Sequence, residues 1–519
     1  MVEDQLPQIL EKLPSRIGDV LKPWAEHSPD QLALVENSGS LSYSQLSEAV
    51  RSAQSWLLEC EVRPGDRVVL VCENCRAFVV LFLALTDIDA WPVLVNARLS
   101  GNELDQIAEH SGARRVIYFT GVSPHAAKHA ARHGADPKNF LGLGEIALGK
   151  LNDAVTPEPV EAKTENNVAA LIYTSGTTGL PKGVMLTHGN LLFMAAISSQ
   201  IRSIAPRDRL YGVLPMSHAV GLSVVLLGTL IAGATLYLVP RFDPVAALSL
   251  FEKEKITVVL GAPSVFSLLL EYAKMKSIRS LKLPALRIIS SSGAPLQAAI
   301  KAETEKLLGL TLHNGYGLTE CSPTIALTRP EAPRPDLTVG RIFPGIEVRL
   351  VDSDGRLAEP GHIGELHVRG PNIMKGYYHA PEETAAAIEC EGWFNTRDVA
   401  RLKDGYLFIE GRTKELIVRF GFNVYPAEVE TVLNGHPGIL RSAVIGRSLQ
   451  GSGEEEIIAF VQLKPDFPAT PDELLKFAAQ RLTAYKQPSQ IIIIEEIPLT
   501  PTGKAKKDDL ARILTAESQ

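Results

Sequence analysis

The chain has little of several things that would fix its role at once. Cysteine is sparse, five in 519 residues, an odd set too small to staple a chain of this length. A disulfide framework is therefore excluded and a reducing compartment expected. The one close pair, Cys72 and Cys75 in Cys72-Glu-Asn-Cys75, lacks a second pair or a histidine pair at ligand spacing and reads as buried structural thiols. Charge of one sign is nowhere concentrated: 52 Lys+Arg against 59 Asp+Glu gives −7 with no run of like charges, which argues against nucleic-acid binding. The opening MVEDQLPQILEKL is acidic and has no apolar stretch of signal-peptide length, so export is not indicated and a cytoplasmic location is expected. Long hydrophobic runs are limited to residues 219–239, an uncharged stretch about as long as a bilayer span. Gly221, Gly228 and Gly233 interrupt it, and Ala-Gly-Ala at 232–234 precedes the strand-like TLYLV. A buried helix, turn and strand is the expectation, with no transmembrane segment and shallow membrane contact left open.

What is present is the material of a large folded chain, 45% hydrophobic and 21% charged, enough for two or more folded units. Short β-rich runs alternate with helical patterns, the mark of parallel sheets covered by helices on both faces. The strands read at 67–72, 90–96, 115–119, 168–174, 257–262 and 286–291, with a helical stretch from Ala77 to Thr86. Past about residue 335 the texture changes to strands and turns, a small β-rich unit reaching to about 410 with turns at Asp354-Gly355 and Pro360-Gly361. From Glu415 the chain reads as strand, helix, two strands, helix, strand and a lysine-rich tail, a compact α+β unit of about a hundred residues. The fold class is thus α/β: a large N-terminal domain over 1–414 and a small mobile α+β C-terminal domain over 415–519.

The densest signal lies at 170–192, where a buried strand runs into a loop of Thr, Ser and Gly before the chain turns helical. Gly176, Gly179 and Gly183 let the backbone turn tightly and present N–H groups. Thr174, Ser175, Thr177 and Thr178 add hydroxyl donors and Lys182 a cation, a combination suited to polyphosphate oxygens. The spacing is not that of a Walker A loop, since Pro181 stands where the second glycine should be.

Four strings in order along the chain, TSGTTGLPKG at 174–183, NGYGLTE at 314–320, WFNTRDVARLKDGYLFIEGR at 393–412 and PLTPTGKAKK at 498–507, resemble the adenylate-forming superfamily of acyl-CoA synthetases, adenylation domains and luciferases. The resemblance covers nearly the whole chain. It implies ATP-dependent activation of a carboxylic acid as acyl-AMP with release of pyrophosphate, then transfer of the acyl group, with ATP, Mg²⁺ and CoA as cofactors. By the same resemblance the 174–182 loop holds the β- and γ-phosphates, Thr319 contacts the α-phosphate, and Glu320 helps bind Mg²⁺. Gly293-Ala294-Pro295 and Asn314-Gly315-Tyr316 surround adenine, with Tyr316 offering a stacking face, and Asp398 and Arg412 hold the ribose. Lys504 bridges the carboxylate and the α-phosphate during adenylation. Its setting, Pro-x-x-x-x-Gly-Lys at 498–504, is linked in related bacterial enzymes to acylation by a regulatory lysine acyltransferase. Lys506 and Lys507 read as solvated neighbours.

The second half-reaction needs room for a thiol, and the family makes it by rotating the C-terminal domain. Glu415 aligns with the hinge, where Asp or Lys is usual, and Gly421 in Arg419-Phe-Gly-Phe-Asn423 resembles the loop along the pantetheine tunnel. Leu214 to Leu222 matches the pocket-lining motif, with His218 near the substrate carboxylate. No aspartate falls between Leu210 and Tyr237, which disfavours an amino-acid substrate. Val220, Gly221, Gly315, Gly317 and Ile325 as walls make an apolar pocket suited to fatty or aryl acids and not to a dicarboxylate or acetate. An acid–CoA ligase is the leading reading, and a stand-alone acyl-AMP ligase that loads a carrier protein is the alternative. Oligomeric state is not legible here.

Overall fold

The architecture is that of a computed structural model, which describes residues 2–174, 182–419, 422–448, 455–465, 467–500 and 503–517. Two twisted sheets dominate the large domain. In the eight-stranded one, Val168–Thr174, Trp91–Asn96, Arg67–Cys72 and Ala113–Tyr118 lie side by side and parallel. Antiparallel strands close both edges, Lys182–Thr187 with Gly376–Tyr377 on one side and Glu145–Leu148 with Asp136–Asn139 on the other. In the nine-stranded sheet the run from Leu312–Gly317 through Ile288–Ser291, Val258–Gly261, Arg209–Gly212 and Thr235–Leu238 to Leu32–Glu36 is parallel throughout.

The two sheets share one core. It contains Val68 and Leu70 of one sheet, Leu34, Leu236 and Val258 of the other, and Phe78, Phe82, Leu191 and Phe193 from helices between them. Those helices are apolar on every side: Arg76–Asp87 buries all but its last residue, and twelve of the fourteen residues of His188–Ile201 are buried. Separate cores cover the outer faces, with Phe266 and Leu269 of helix Pro263–Met275 against one sheet and Leu104 and Ile107 of helix Gly101–His110 against the other. The layering is therefore αβαβα, and the expectation of helix-covered, mostly parallel sheets is met.

The stretch at 219–239 is a π-helix at Val220–Leu227, a short α-helix at Gly228–Ile231 and the strand Thr235–Leu238; the helices and Leu236 and Leu238 pack in the shared core, and Tyr237 in the outer one. Among the described residues no helix is long and apolar enough to cross a membrane. Where the sequence reading carries the chain from the 175–181 loop into a helix, a strand intervenes: Lys182–Thr187 pairs back on Val168–Thr174 and buries Val184 and Leu186. Helix His188–Ile201 starts only at Thr187, whose hydroxyl caps the Asn190 N–H at 3.1 Å.

The β-rich unit is a four-stranded antiparallel sheet of Glu347–Val351, Ile363–Arg369, Phe394–Lys403 and Tyr406–Arg412. The smaller C-terminal domain has a three-stranded sheet of Ile439–Ser448, Glu455–Leu463 and Gln490–Ile493. Strand periodicity splits its apolar residues cleanly. Val444, Ile457 and Ala459 meet helices Pro426–Asn434 and Pro471–Ala479 on one face, while Ala443, Ile458 and Phe460 meet Leu510 and Leu514 on the other. Leu510 and Leu514 belong to a helix, Lys507–Glu517, where the sequence reading had only a lysine-rich tail. Lys507 is likewise not solvated: its ammonium pairs with Glu415 at 2.5 Å and Glu430 at 3.2 Å.

Candidate active site

The site is assembled at the C-terminal ends of parallel strands, the usual crevice of such sheets. Thr174 and Lys182 face each other across an antiparallel pair, so the loop at 175–181 leaves and returns at one point. Ser175, Gly176, Thr177, Thr178 and Gly179 lie outside the described residues, as does Gly421. The Lys182 ammonium stands 5.1 Å from the centre of the Tyr377 ring, a cation–π distance. The hydroxyl of Tyr377 donates to Glu320 Oε1 at 3.0 Å. One tyrosine therefore joins Lys182 to Glu320. Tyr377 is held by a two-strand pairing with Lys182–Thr187. The Asn190 amide, after capping its own helix, donates to the Pro371 and Ile373 carbonyls at 2.7 and 2.9 Å and fixes the approach to it. Nothing in the residue order pointed to Tyr377. The only signal was its place after a turn in the Gly376-Tyr377-Tyr378 run.

Thr319 and Glu320 occupy a single 3₁₀ turn, Thr319–Cys321, directly after strand Leu312–Gly317. The chain doubles back there so tightly that a Cβ on Gly317 would lie 1.7 Å from the Pro323 carbonyl oxygen. Burial raises the Glu320 pKa, and the Tyr377 hydroxyl and Arg412 only partly offset it.

Gly293, Ala294 and Pro295 follow the end of Ile288–Ser291, and Asn314, Gly315 and Tyr316 lie on the adjacent strand, with Asn314 paired to Ser291. The two motifs are thus brought together. The Asn314 amide is committed to structure, donating to the carbonyls of Leu337 and Thr338 at 3.2 and 3.3 Å. Tyr316 does more than present a ring face: its hydroxyl donates to Asp398 Oδ2. Arg412 Nε donates to Asp398 Oδ1 at 2.8 Å from the directly paired position on the next strand. Burial of its own phenol pushes Tyr316 far above the ordinary range, and the buried Asp398 carboxylate adds to this.

Lys504 sits on a tight turn. Thr500 donates its N–H to the Lys504 carbonyl at 2.7 Å, and the Lys504 N–H returns to the Thr500 hydroxyl at 3.0 Å. Gly503, at φ +86°, makes the turn possible and packs against Ser264 of the large domain, 3.4 Å from where its Cβ would be. The Lys504 side chain keeps contact with solvent, yet protein crowds it from both domains. Desolvation draws its pKa down and Arg412 adds to this, while Asp398, Glu415 and Glu320 pull the other way. The lysine therefore lies close to the carboxylates of the 314–320 and 393–412 motifs and to that of Glu415.

Beside that crevice is a small cavity open to solvent, lined by residues that include Val220, Val224, Gly315, Gly317 and Pro323. Of the expected walls, Val220, Gly315 and Gly317 line it. Gly221 instead packs on backbone, where a Cβ would come 2.1 Å from the Pro215 carbonyl, and Ile325 is fully buried in the core. His218 precedes the π-helix. Burial lowers its pKa, leaving a neutral imidazole whose buried Nε2 has no hydrogen-bond partner among the described residues. An orphaned polar atom at this place fits a ligand. The loop carrying His218 hangs on Asn74, whose amide donates to the carbonyls of Gly212, Leu214 and Val239 at 3.0, 2.9 and 3.3 Å and accepts the Met216 N–H at 2.9 Å. Asn74 lies between the two cysteines of Cys72-Glu-Asn-Cys75, so that string holds the loop that leads to His218.

Comparison with known proteins bears on this geometry. The family model described as AMP-binding enzyme matches residues 21–378, and that of the AMP-binding enzyme C-terminal domain matches 428–504. A feruloyl-CoA synthase of an Amycolatopsis species is 35% identical over 491 residues, 94% of this chain and 97% of that protein. The long-chain-fatty-acid–CoA ligase FadD13 of Mycobacterium tuberculosis is 33% identical over 95% of this chain and 97% of its own length. The solved O-succinylbenzoate coenzyme A synthetase (MenE) of Bacillus subtilis, in complex with ATP and magnesium ion, superposes with a TM-score of 0.81 at 28% identity, over 95% of this chain and 99% of that one. The order of motifs, the two domains and the family match together make this chain a member of the AMP-binding, adenylate-forming enzymes, an AMP-forming acid–CoA ligase of a family that works with ATP, Mg²⁺ and CoA.

Proposed function

We propose that this ligase activates a fatty or aryl carboxylic acid, with the large domain ending at Lys414 and a mobile C-terminal domain from Glu415 onward. The observation that carries the reading is the position of Lys504, whose charge is felt together with those of Glu320, Asp398 and Arg412. In the first half-reaction a carboxylate oxygen forms a bond to the α-phosphorus and the bond to pyrophosphate breaks. Charge then grows on the phosphate oxygens, and preorganised cations and N–H donors lower that barrier. Lys182 and the 174–179 loop hold the β- and γ-oxygens. Thr319 donates to the α-phosphate, and Lys504 neutralises the entering carboxylate and the α-oxygens together. Among the described residues no three His, Cys, Asp or Glu side chains gather as a metal cage. Glu320 as a single carboxylate, completed by phosphate oxygens and water, suits Mg²⁺.

Asp398 and Arg412 take the ribose, Gly293 to Pro295 and Asn314 to Tyr316 the adenine, and His218 the acid's carboxyl. In the second half-reaction the thiol sulfur bonds to the acyl carbon and AMP leaves, with Glu415 as hinge and Gly421 beside the pantetheine arm. Acylation of Lys504 by a lysine acyltransferase would remove the cation and stop the first step. All five cysteines are free, which supports a reducing, cytoplasmic setting.

The test is mass spectrometry on the enzyme with ATP, Mg²⁺, CoA and pooled fatty, aryl and short-chain acids, repeated with Lys504→Ala. The native enzyme is expected to form a fatty- or aryl-CoA. Lys504→Ala is expected to lose adenylate formation while still converting a supplied acyl-AMP to thioester. Equal loss of both half-reactions would remove the division of labour between the domains, and acyl-AMP without thioester would remove CoA as acceptor.

A further inference from the structure

Arg202 follows the last turn of helix His188–Ile201 and is buried, 6% exposed, on the wall of the acyl cavity. Its Nη1 donates to the Ser198 carbonyl and hydroxyl at 3.1 and 2.5 Å, but its Nε has no hydrogen-bond partner among the described residues. No salt bridge reaches it among the described residues, and the charge felt at its guanidinium is another cation, Arg329. Burial and Arg329 pull its pKa down to about 9. His313, which feels the Arg202 charge, is itself buried and depressed to about 4, hence neutral.

A guanidinium without an anion, in a core of this density, is an expensive arrangement. Helix capping accounts for Nη1 alone. A cap needs neither the burial nor the free Nε, and a solvent-facing lysine or arginine would serve the last carbonyls as well. Arg202 itself lines the cavity, together with Val224, Leu260, Gly315 and Gly317, so its guanidinium group borders that space. Ser290, Ser292, Tyr316 and Thr324 share the lining with the aliphatic residues, and Arg202 is the one cation among them, so a ligand oxygen that seeks a charge meets it there.

We propose that Arg202 is a specificity-determining residue that receives a hydrogen-bond-accepting oxygen at the far end of the acid, a second carboxylate or a hydroxyl on an aryl ring. The proposal rests on the ligase reading above and deepens it. It also reverses the expectation of a wholly apolar pocket that refuses dicarboxylates. The acid enters with its reacting carboxyl toward His218 and Lys504 and its distal oxygen toward Arg202. Acids that end in a methyl or an unsubstituted ring leave the guanidinium buried and unmet. A site built to bond an oxygen discriminates against the analogue lacking it far more sharply than an apolar pocket discriminates by size.

The experiment is initial-rate pyrophosphate release for matched pairs: cinnamate against 4-hydroxycinnamate, and octanoate against the eight-carbon α,ω-dicarboxylate. Each pair is run with native enzyme, Arg202→Met and Arg202→Lys. Native enzyme is expected to favour the oxygen-bearing member of at least one pair by about tenfold or more in kcat/KM, and the pair that shows it names the oxygen. Arg202→Met is expected to bring that ratio near one through KM for the oxygen-bearing acid, and Arg202→Lys to restore part of it. Equal rates within both pairs for native enzyme would overturn the proposal, as would an unchanged ratio in a folded Arg202→Met. The native ratios decide the matter by themselves if that variant does not fold. Pyrophosphate from every acid alike sinks only this proposal, whereas none from any acid sinks the ligase reading beneath it.

Discussion

Asp398 serves two donors at once, and a change there tests whether the ribose reading or mere fold support accounts for its burial. Asp398→Asn keeps the volume and removes the anion, leaving Arg412 without its partner and Tyr316 with a weaker acceptor. Breaking one side of a buried pair of this kind costs about 3–5 kcal/mol in fully buried cases. Arg412 is half exposed here, so a smaller loss, roughly tenfold or more in KM for ATP, is expected from steady-state pyrophosphate release. An unchanged KM with a lowered Tm would assign the residue to the fold alone. Asp398, Arg412 and Glu320 were legible because each stands in a string of unusual order. Tyr377 and Arg202 were not, since one acquires its role from pairing with a strand some 190 residues earlier in sequence and the other from a cavity that only the folded sheet encloses.

At the scale of elements, the loop from Gly212 to Met216 and the π-helix behind it depend on Asn74. Asn74→Ala leaves three carbonyls and one N–H without their partner. With each lost bond worth about 1 kcal/mol, a destabilisation of about 2–4 kcal/mol is expected in denaturant titrations, with KM for the acid raised more than KM for ATP. Equal effects on both would mean that the loop does not serve the acyl side in particular. The parallel strands were readable from composition because a short β-rich run, apolar throughout and bounded by turn residues, suits a strand covered on both faces and little else. The π-helix was not, since Val220–Leu227 is apolar at nearly every position and offers no period to distinguish one helix from another. The terminal helix was missed for the opposite reason: Leu510, Ile513 and Leu514 are scattered among polar residues, and it takes the uncovered face of the C-terminal sheet to give them meaning.

For the molecule as a whole, the apolar clusters of the large domain stop at Ile409 and those of the small domain draw only on residues 417–514. Cores that do not mix unfold separately. Scanning calorimetry is expected to resolve two transitions, with ATP raising the one that belongs to the large domain. A single two-state transition would mean that contacts such as Gly503 on Ser264 couple the domains far more strongly than their areas suggest. The two-domain plan was plain in the change of texture past residue 410, whereas the meeting of distant motifs in one cleft follows from how the sheets are stacked, which no spacing along the chain encodes.

The lone pairs of Asp398 are countable. A carboxylate offers about four. Tyr316 takes one on Oδ2 and Arg412 one on Oδ1, which leaves one on each oxygen. That remainder is the complement of a vicinal diol. A nucleotide with both hydroxyls would complete the carboxylate, and a 2′-deoxy nucleotide would leave one acceptor dry and unmet, so on the ribose role proposed for Asp398 an interlock between two sheets would also tell ribose from deoxyribose.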